Sequence, residues 1–130
     1  MHDFHWPALI TLGVLVLLFA VAGLVGKARG QYKIDAPATT GHPQFDRTFR
    51  VQMNTLENAV LFLPALWLFA AYVSGVWSAA LGAVWLAARV WYVFAYLQDP
   101  KRRGPAFGLS MLAFGILTLG AGWGVIKAFL

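Results

Sequence analysis

Apolar residues run along this chain in four long stretches, separated by polar connections of unequal length. The stretches are approximately Trp6–Gly26, Arg50–Ser74, Val76–Tyr96 and Gly104–Phe129. Each is long enough to span about 30 Å of hydrocarbon as a helix. The second and third are separated only by a short turn around Ser74–Gly75 and predict an antiparallel hairpin. The longest polar connection, Gly30 to Pro43, holds Pro37, Thr39, Thr40, Gly41 and Pro43 and predicts an ordered loop. Pro7 suits the first turn of the first helix. Pro64 is placed to kink the second. The glycines of the first and fourth stretches offer small faces for close helix packing.

One stretch breaks the apolar pattern. FDRTFRVQMNTLENAVLFL, residues 45–63, carries Arg47, Arg50, Gln52, Asn54, Glu57 and Asn58 and runs directly into an apolar segment. An ionised residue at membrane depth costs about 2.5–3.5 kcal/mol on insertion scales and marks a candidate functional site. At 100° per residue, Arg47, Arg50, Asn54, Glu57 and Asn58 cover roughly a third of the helix circumference. Gln52 falls on the opposite side. On the third helix Arg89, Tyr92 and Tyr96 recur at i, i+3 and i+7 and share a face within about 60°. Arg103 would rejoin that face if the helix continued, but Pro100 intervenes.

Composition narrows the class. The chain has 130 residues, is 60% hydrophobic and only 12% charged, which predicts one all-α integral membrane domain over residues 1–130. Four spans with short connections make it a four-helix, up-down transmembrane bundle. There is no cysteine, so disulfides, thiolate ligands and a cysteine nucleophile are excluded. His2, His5 and His42 lack metal-ligand spacing, and no metal site is expected. No serine–histidine–acid set, phosphate loop or haem-attachment motif is present. The net charge of +5 is uneven: Lys27, Arg29, Lys33, Arg47 and Arg50 flank the first connection, and Lys101, Arg102 and Arg103 crowd the third. The positive-inside rule puts connections one and three in the cytoplasm and both termini on the opposite side. Nucleic acid is not an expected partner, because these basic residues hug the membrane ends. The first stretch has its positive charges after the apolar run, the wrong order for a cleaved signal, and reads as a retained helix.

Individual residues admit a plainer reading. Glu57 fits one half of a buried ion pair with Arg50 or Arg89 as well as it fits a ligand contact. Tyr92 and Tyr96 fit an interfacial aromatic belt, and Asn54 fits interhelical glue. Trp67, Trp77, Trp85, Trp91 and Trp123 read as lipid-facing or interfacial. Taken together, the two polar faces offer guanidinium groups for carboxylates, a carboxylate for an ammonium, and amide and phenol partners. That set suits a small zwitterion with several carboxylates, such as a peptide, at a wall open to lipophilic molecules.

Four segments carry a resemblance: TTGHPQFDRTFRVQMNTLEN, LFLPALWLFA, AARVWYVFAY and KRRGPAFGLSMLAFGILTLGA. Arg50, Gln52, Asn54 and Glu57 reproduce a family pattern of Arg, Gln, Asn and Glu at spacings of two, two and three. With these, the chain resembles the MAPEG family, membrane-associated proteins of eicosanoid and glutathione metabolism, over about Arg29 to Ala121. It is most similar to that family's glutathione-transferase and cysteinyl-leukotriene-synthase type. The resemblance implies a homotrimer binding glutathione between subunits near the cytoplasmic face. It implies glutathione contacts from Arg29, Arg50, Gln52, Asn54, Glu57, Tyr92 and Tyr96, and thiolate stabilisation by Arg103 as the catalytic residue. The implied activity is transfer of the glutathione thiolate to a lipophilic electrophile, with peroxidase activity toward hydroperoxides as a variant and detoxification as the setting. Glutathione is then a co-substrate, membrane lipid surrounds the site, and no metal is needed. The leukotriene-forming member has a tyrosine where this chain has Asn58 and a second arginine where it has Gly30. A non-catalytic lipid-binding or adaptor protein on the same scaffold is the main rival. A proton-coupled drug exporter is a weaker one, because Trp6–Gly26 holds no ionisable residue.

Overall fold

A computed structural model describes residues 3–130; His2 lies outside the described residues. Its four long helices are α1 (His5–Tyr32), α2 (Pro43–Tyr72), α3 (Gly75–Gln98) and α4 (Arg103–Phe129). All four are long and apolar enough to cross a membrane, as the apolar stretches predict. The protein is an integral, multi-pass membrane protein.

Neighbouring helices run antiparallel. Trp67 Nε1 near the end of α2 donates to Thr11 Oγ1 near the start of α1, 3.0 Å away. Ser78 Oγ near the start of α3 donates to the Leu66 carbonyl at 2.7 Å. Tyr92 late in α3 meets Phe107 early in α4, with ring centroids 6.2 Å apart. α2 and α3 each pack on all three other helices, whereas α1 and α4 flank them on opposite sides.

The helix limits differ from the apolar stretches at the first connection. α1 runs on past Gly26 to Tyr32, and α2 begins seven residues before Arg50, at Pro43. Membrane insertion requires only the apolar part, whereas the helix carries on through its charged ends in water. α1 stops at Lys33, which takes the left-handed conformation (φ 55°) and sends its N–H to the Arg29 carbonyl. α2 starts from His42, whose Nδ1 accepts from the Gln44 N–H at 3.0 Å, with Pro43 in the first turn. Between them lies the expected non-helical loop. α2 continues through Pro64 to Tyr72, with Pro64 on its exposed side. α3 ends where Pro100 predicts. Asp99 is extended, and Pro100–Arg102 form a single 3-10 turn that opens onto α4.

The core of the bundle is apolar and closely packed around Phe62 and Trp85, whose rings stack 3.9 Å apart and 7° from parallel. Trp85 is buried, which corrects the lipid-facing assignment for that residue, and Trp67 is half-buried through its bond to Thr11. Trp77, Trp91 and Trp123 are exposed, as expected. Gly120 makes room for the Phe69 ring of α2, because a Cβ there would lie 2.5 Å from Phe69 Cε2, and Gly124 lets α4 approach the α2 backbone, where a Cβ would lie 2.9 Å from the Tyr72 carbonyl oxygen. Outside, the chain is covered with apolar side chains, Phe19 being 83% exposed and Leu119 78%. Such a surface belongs in lipid or against another chain.

Candidate functional site

The end of the bundle formed by the C-termini of α1 and α3 and the N-termini of α2 and α4 gathers the polar groups. The deepest is Arg89, on α3. It is 0% exposed. Its Nη2 donates to Asn54 Oδ1 at 3.0 Å and to Thr55 Oγ1 at 2.8 Å, both on α2. Its guanidinium carbon sits 4.0 Å from the Tyr92 ring centroid. No carboxylate faces it. Arg89 Nε, Arg89 Nη1 and the Tyr92 hydroxyl are buried without a hydrogen-bond partner among the described residues. Hydrogen bonds and the aromatic face hold this charge in place of an ion pair.

Asn54 is therefore turned inward. It also receives Asn58 Nδ2, at 3.2 Å on its Oδ1 and 2.8 Å on its carbonyl. Thr55 is a further acceptor for Arg89 that pattern reading passes over. A buried intramembrane arginine demands acceptors, and Thr55 is on the inward side of α2 next to Asn54.

Arg29 is half-buried in the last turn of α1. Its Nη1 donates to the Ala38 carbonyl at 2.8 Å and to the Ile34 carbonyl at 3.4 Å, and its guanidinium lies 5.1 Å from the Phe45 ring centroid. It ties the α1–α2 loop down. Gly41 N–H donates to Asp46 Oδ1 at 3.1 Å and Tyr32 stacks on His42 at 3.9 Å, so the loop is ordered.

A third group forms around the α3–α4 junction. Tyr92 is 1% exposed, and its ring lies 5.7 Å from that of half-buried Tyr96. The Arg103 guanidinium stands 5.8 Å from the Tyr96 centroid. The broken helix thus returns Arg103 to the tyrosine face, by a 3-10 turn rather than by continuing α3. Tyr96, Pro100, Lys101, Arg103 and Gly104 line an open groove of about 530 Å³ here. Arg103 itself is exposed.

The remaining members of the predicted set are not joined to that cluster. Arg50 and Glu57 are exposed and Gln52 is half-buried. Among the described residues none of the three has a hydrogen bond or ion pair, so the ion pair with Arg50 or Arg89, one of the two readings open for Glu57, is absent. Helical geometry turns Gln52 away from Arg50 and Glu57. Among the described residues no cluster of groups suited to a metal ion occurs.

The family model described as the MAPEG family matches residues 7–123. The chain belongs to the MAPEG family. This MAPEG chain is 47% identical to an uncharacterised protein of Synechocystis sp. over 116 residues, 89% of this chain and 85% of the other. It is 39% identical to the microsomal glutathione S-transferase 2 of Homo sapiens over 106 residues, 82% of this chain and 72% of that one. It is 32% identical to the leukotriene C4 synthase of Cavia porcellus over 119 residues, 92% and 79% of the two chains. The family predicted from Arg50, Gln52, Asn54 and Glu57 is thus the family found.

Proposed function

We propose that this MAPEG protein is a membrane-bound glutathione transferase that joins the glutathione thiolate to a lipophilic electrophile, with reduction of a lipophilic hydroperoxide to its alcohol, two glutathiones being oxidised to the disulfide and water released, as a variant activity. The observation that carries the reading is the Arg103–Tyr96 pair on an open groove beside lipid-facing helices. Relatives named as a glutathione S-transferase and a leukotriene C4 synthase support it.

A thiol has a pKa near 8.5, and the thiolate is the nucleophile. A guanidinium a few ångströms from the sulfur favours the thiolate, and a depression of one to two units is worth about 1.4–2.7 kcal/mol. Arg103 holds that role here. Arg50 binds a carboxylate of glutathione, Glu57 its ammonium, and Tyr92 and Tyr96 shape the wall beside the sulfur. Arg29, Gln52 and Asn54 complete the binding set. Arg29 spends Nη1 on the loop and retains its other donors, and Asn54 binds Arg89 and keeps its remaining polar atom for the ligand.

The working unit is a homotrimer. Arg50 and Glu57 lie on an exposed stripe of α2, and Gln52 lies on the far side, so a site using all three draws them from neighbouring subunits. The whole chain acts as one domain. The site faces the cytoplasm with connections one and three, and both termini lie opposite.

Calorimetry with glutathione tests binding, with Arg50→Ala expected to weaken it. Ultraviolet absorbance of bound thiolate tests the chemistry. Arg103→Ala should lose that signal while glutathione still binds, and an undiminished signal rejects the role of Arg103. A protein that takes up no glutathione would instead be a lipid-binding adaptor.

A further inference from the structure

Two grooves meet on the outer wall between α1 and α3. The longer has a volume of about 470 Å³ and runs along Val16, Ala20 and Leu24 of α1 and Val90, Phe94 and Leu97 of α3. Every side chain lining it is apolar. The second, of about 180 Å³, shares Leu24 and Leu97 with the first and carries Lys27 and Gln31 of α1 with Gln44 and Thr48 of α2. The pair forms one trough, apolar along its length and polar at the end beside the α1–α2 loop.

Three features say what fits. From Gly13 to Leu24 the apolar part extends 11 residues of helix, about 16 Å at 1.5 Å per residue. That is the depth of one leaflet, half of a hydrocarbon core about 30 Å thick. At the polar end Lys27 is the one charged residue that lines either groove among the described residues, and no carboxylate opposes it. Lys27 and Gln31 are exposed and have no hydrogen-bond partner among the described residues. They supply an ammonium and an amide at the level where lipid headgroups lie. The trough also stands apart from Arg103, Tyr96 and Arg50, so its occupant need not react.

We propose that this trough binds an anionic phospholipid of the leaflet adjoining the α1–α2 loop, one acyl chain between α1 and α3 and the phosphate at Lys27 and Gln31. The site is independent of glutathione binding.

Native mass spectrometry of the intact protein, with palmitoyl-oleoyl phosphatidylglycerol or phosphatidylcholine as the added probe, reads this directly. One phosphatidylglycerol per subunit is expected, preferred about fivefold over phosphatidylcholine, the preference one lysine gives at a membrane surface. Lys27→Gln should abolish the preference. Ala20→Trp, which fills the exposed apolar groove without entering the core, should abolish retention of either lipid. Lys33→Gln, a lysine on the same side but outside the trough, should change neither. Equal retention of the two lipids, a preference that survives Lys27→Gln, retention that survives Ala20→Trp, or a loss in Lys33→Gln equal to that in Lys27→Gln overturns the proposal. So does a change in subunit number in Ala20→Trp, which would mean that a second copy covers the groove.

Discussion

Removing one hydroxyl tests the deepest polar contact in the bundle. Thr55→Val keeps the shape of a side chain that is 0% exposed and deletes the oxygen that accepts from Arg89 Nη2 at 2.8 Å. Arg89 is then left with the single acceptor Asn54 Oδ1 at 3.0 Å and the ring of Tyr92. Neutral interhelical hydrogen bonds in membrane proteins average about 0.6 kcal/mol. A bond to a charged donor is worth about 1.5–3 kcal/mol, and an uncompensated buried donor forfeits most of that. With no carboxylate on the guanidinium, the upper range applies, and Thr55→Val should destabilise the fold by about 2 kcal/mol. Unfolding by sodium dodecyl sulfate in mixed micelles measures this. Arg89→Met supplies the control, since it removes the charge as well. Met fills much of the arginine stem's volume and needs no acceptor, and replacing a buried ion by an apolar residue is often close to neutral. In the Arg89→Met background Thr55→Val should cost less than about 0.5 kcal/mol, giving a coupling of at least about 1.5 kcal/mol. A coupling below about 0.5 kcal/mol refutes the reasoning, because the guanidinium would then be solvated by something other than Thr55.

Two further outcomes follow from the packing. Arg29→Ala removes the 2.8 Å bond to the Ala38 carbonyl and the contact with Phe45, and should speed amide exchange in residues 33–42 by about tenfold while leaving the helices unchanged. Gly120→Ala should destabilise by about 1–3 kcal/mol, because its Cβ meets Phe69. Gly122→Ala, with open space beside it, should stay within about 0.5 kcal/mol in the same assay.

What the sequence discloses depends on whether a residue answers to its own helix or to another. The four spans are legible because hydrocarbon demands apolar length of each helix separately. The stop at Pro100 is legible for the same reason, as a local clash. The shared face of Arg89, Tyr92 and Tyr96 is also local, and the structure keeps it, with Tyr92 between the other two. Its direction is not local. Whether Arg89 met Glu57 or another group depended on the rotation of α3 against α2, and the structure turns Arg89 to Asn54 and Thr55. Trp85 and Trp91 are equally aromatic and six residues apart, yet one is buried on Phe62 and the other exposed. The early start of α2 is written in the chain as a cap and a proline at His42–Pro43, whereas the apolar pattern, which reports membrane rather than helix, begins at Arg50.

The polar side chains of this half of the bundle divide by whether the chain itself satisfies them. Arg89, Asn54, Thr55 and Arg29 find partners inside it. Arg50, Gln52 and Glu57 find none among the described residues, and Arg103 stands by the Tyr96 ring and near Tyr92. Glu57 is the sharpest case. It stands halfway along the thirty-residue α2, on an exposed stripe that continues as Leu61, Pro64 and Leu68. Facing lipid there, a carboxylate would cost about 2.5–3.5 kcal/mol. In the proposed homotrimer a neighbouring subunit or a bound ammonium would remove that cost. The exposed or unpartnered groups, Arg50, Gln52, Glu57 and Arg103, are four of those the proposal assigns to glutathione, whereas Arg29 and Asn54 in the same set also have partners inside the chain. Those the fold satisfies internally, Arg89 above all, keep the helices in the register that holds Tyr92 and Tyr96 beside Arg103.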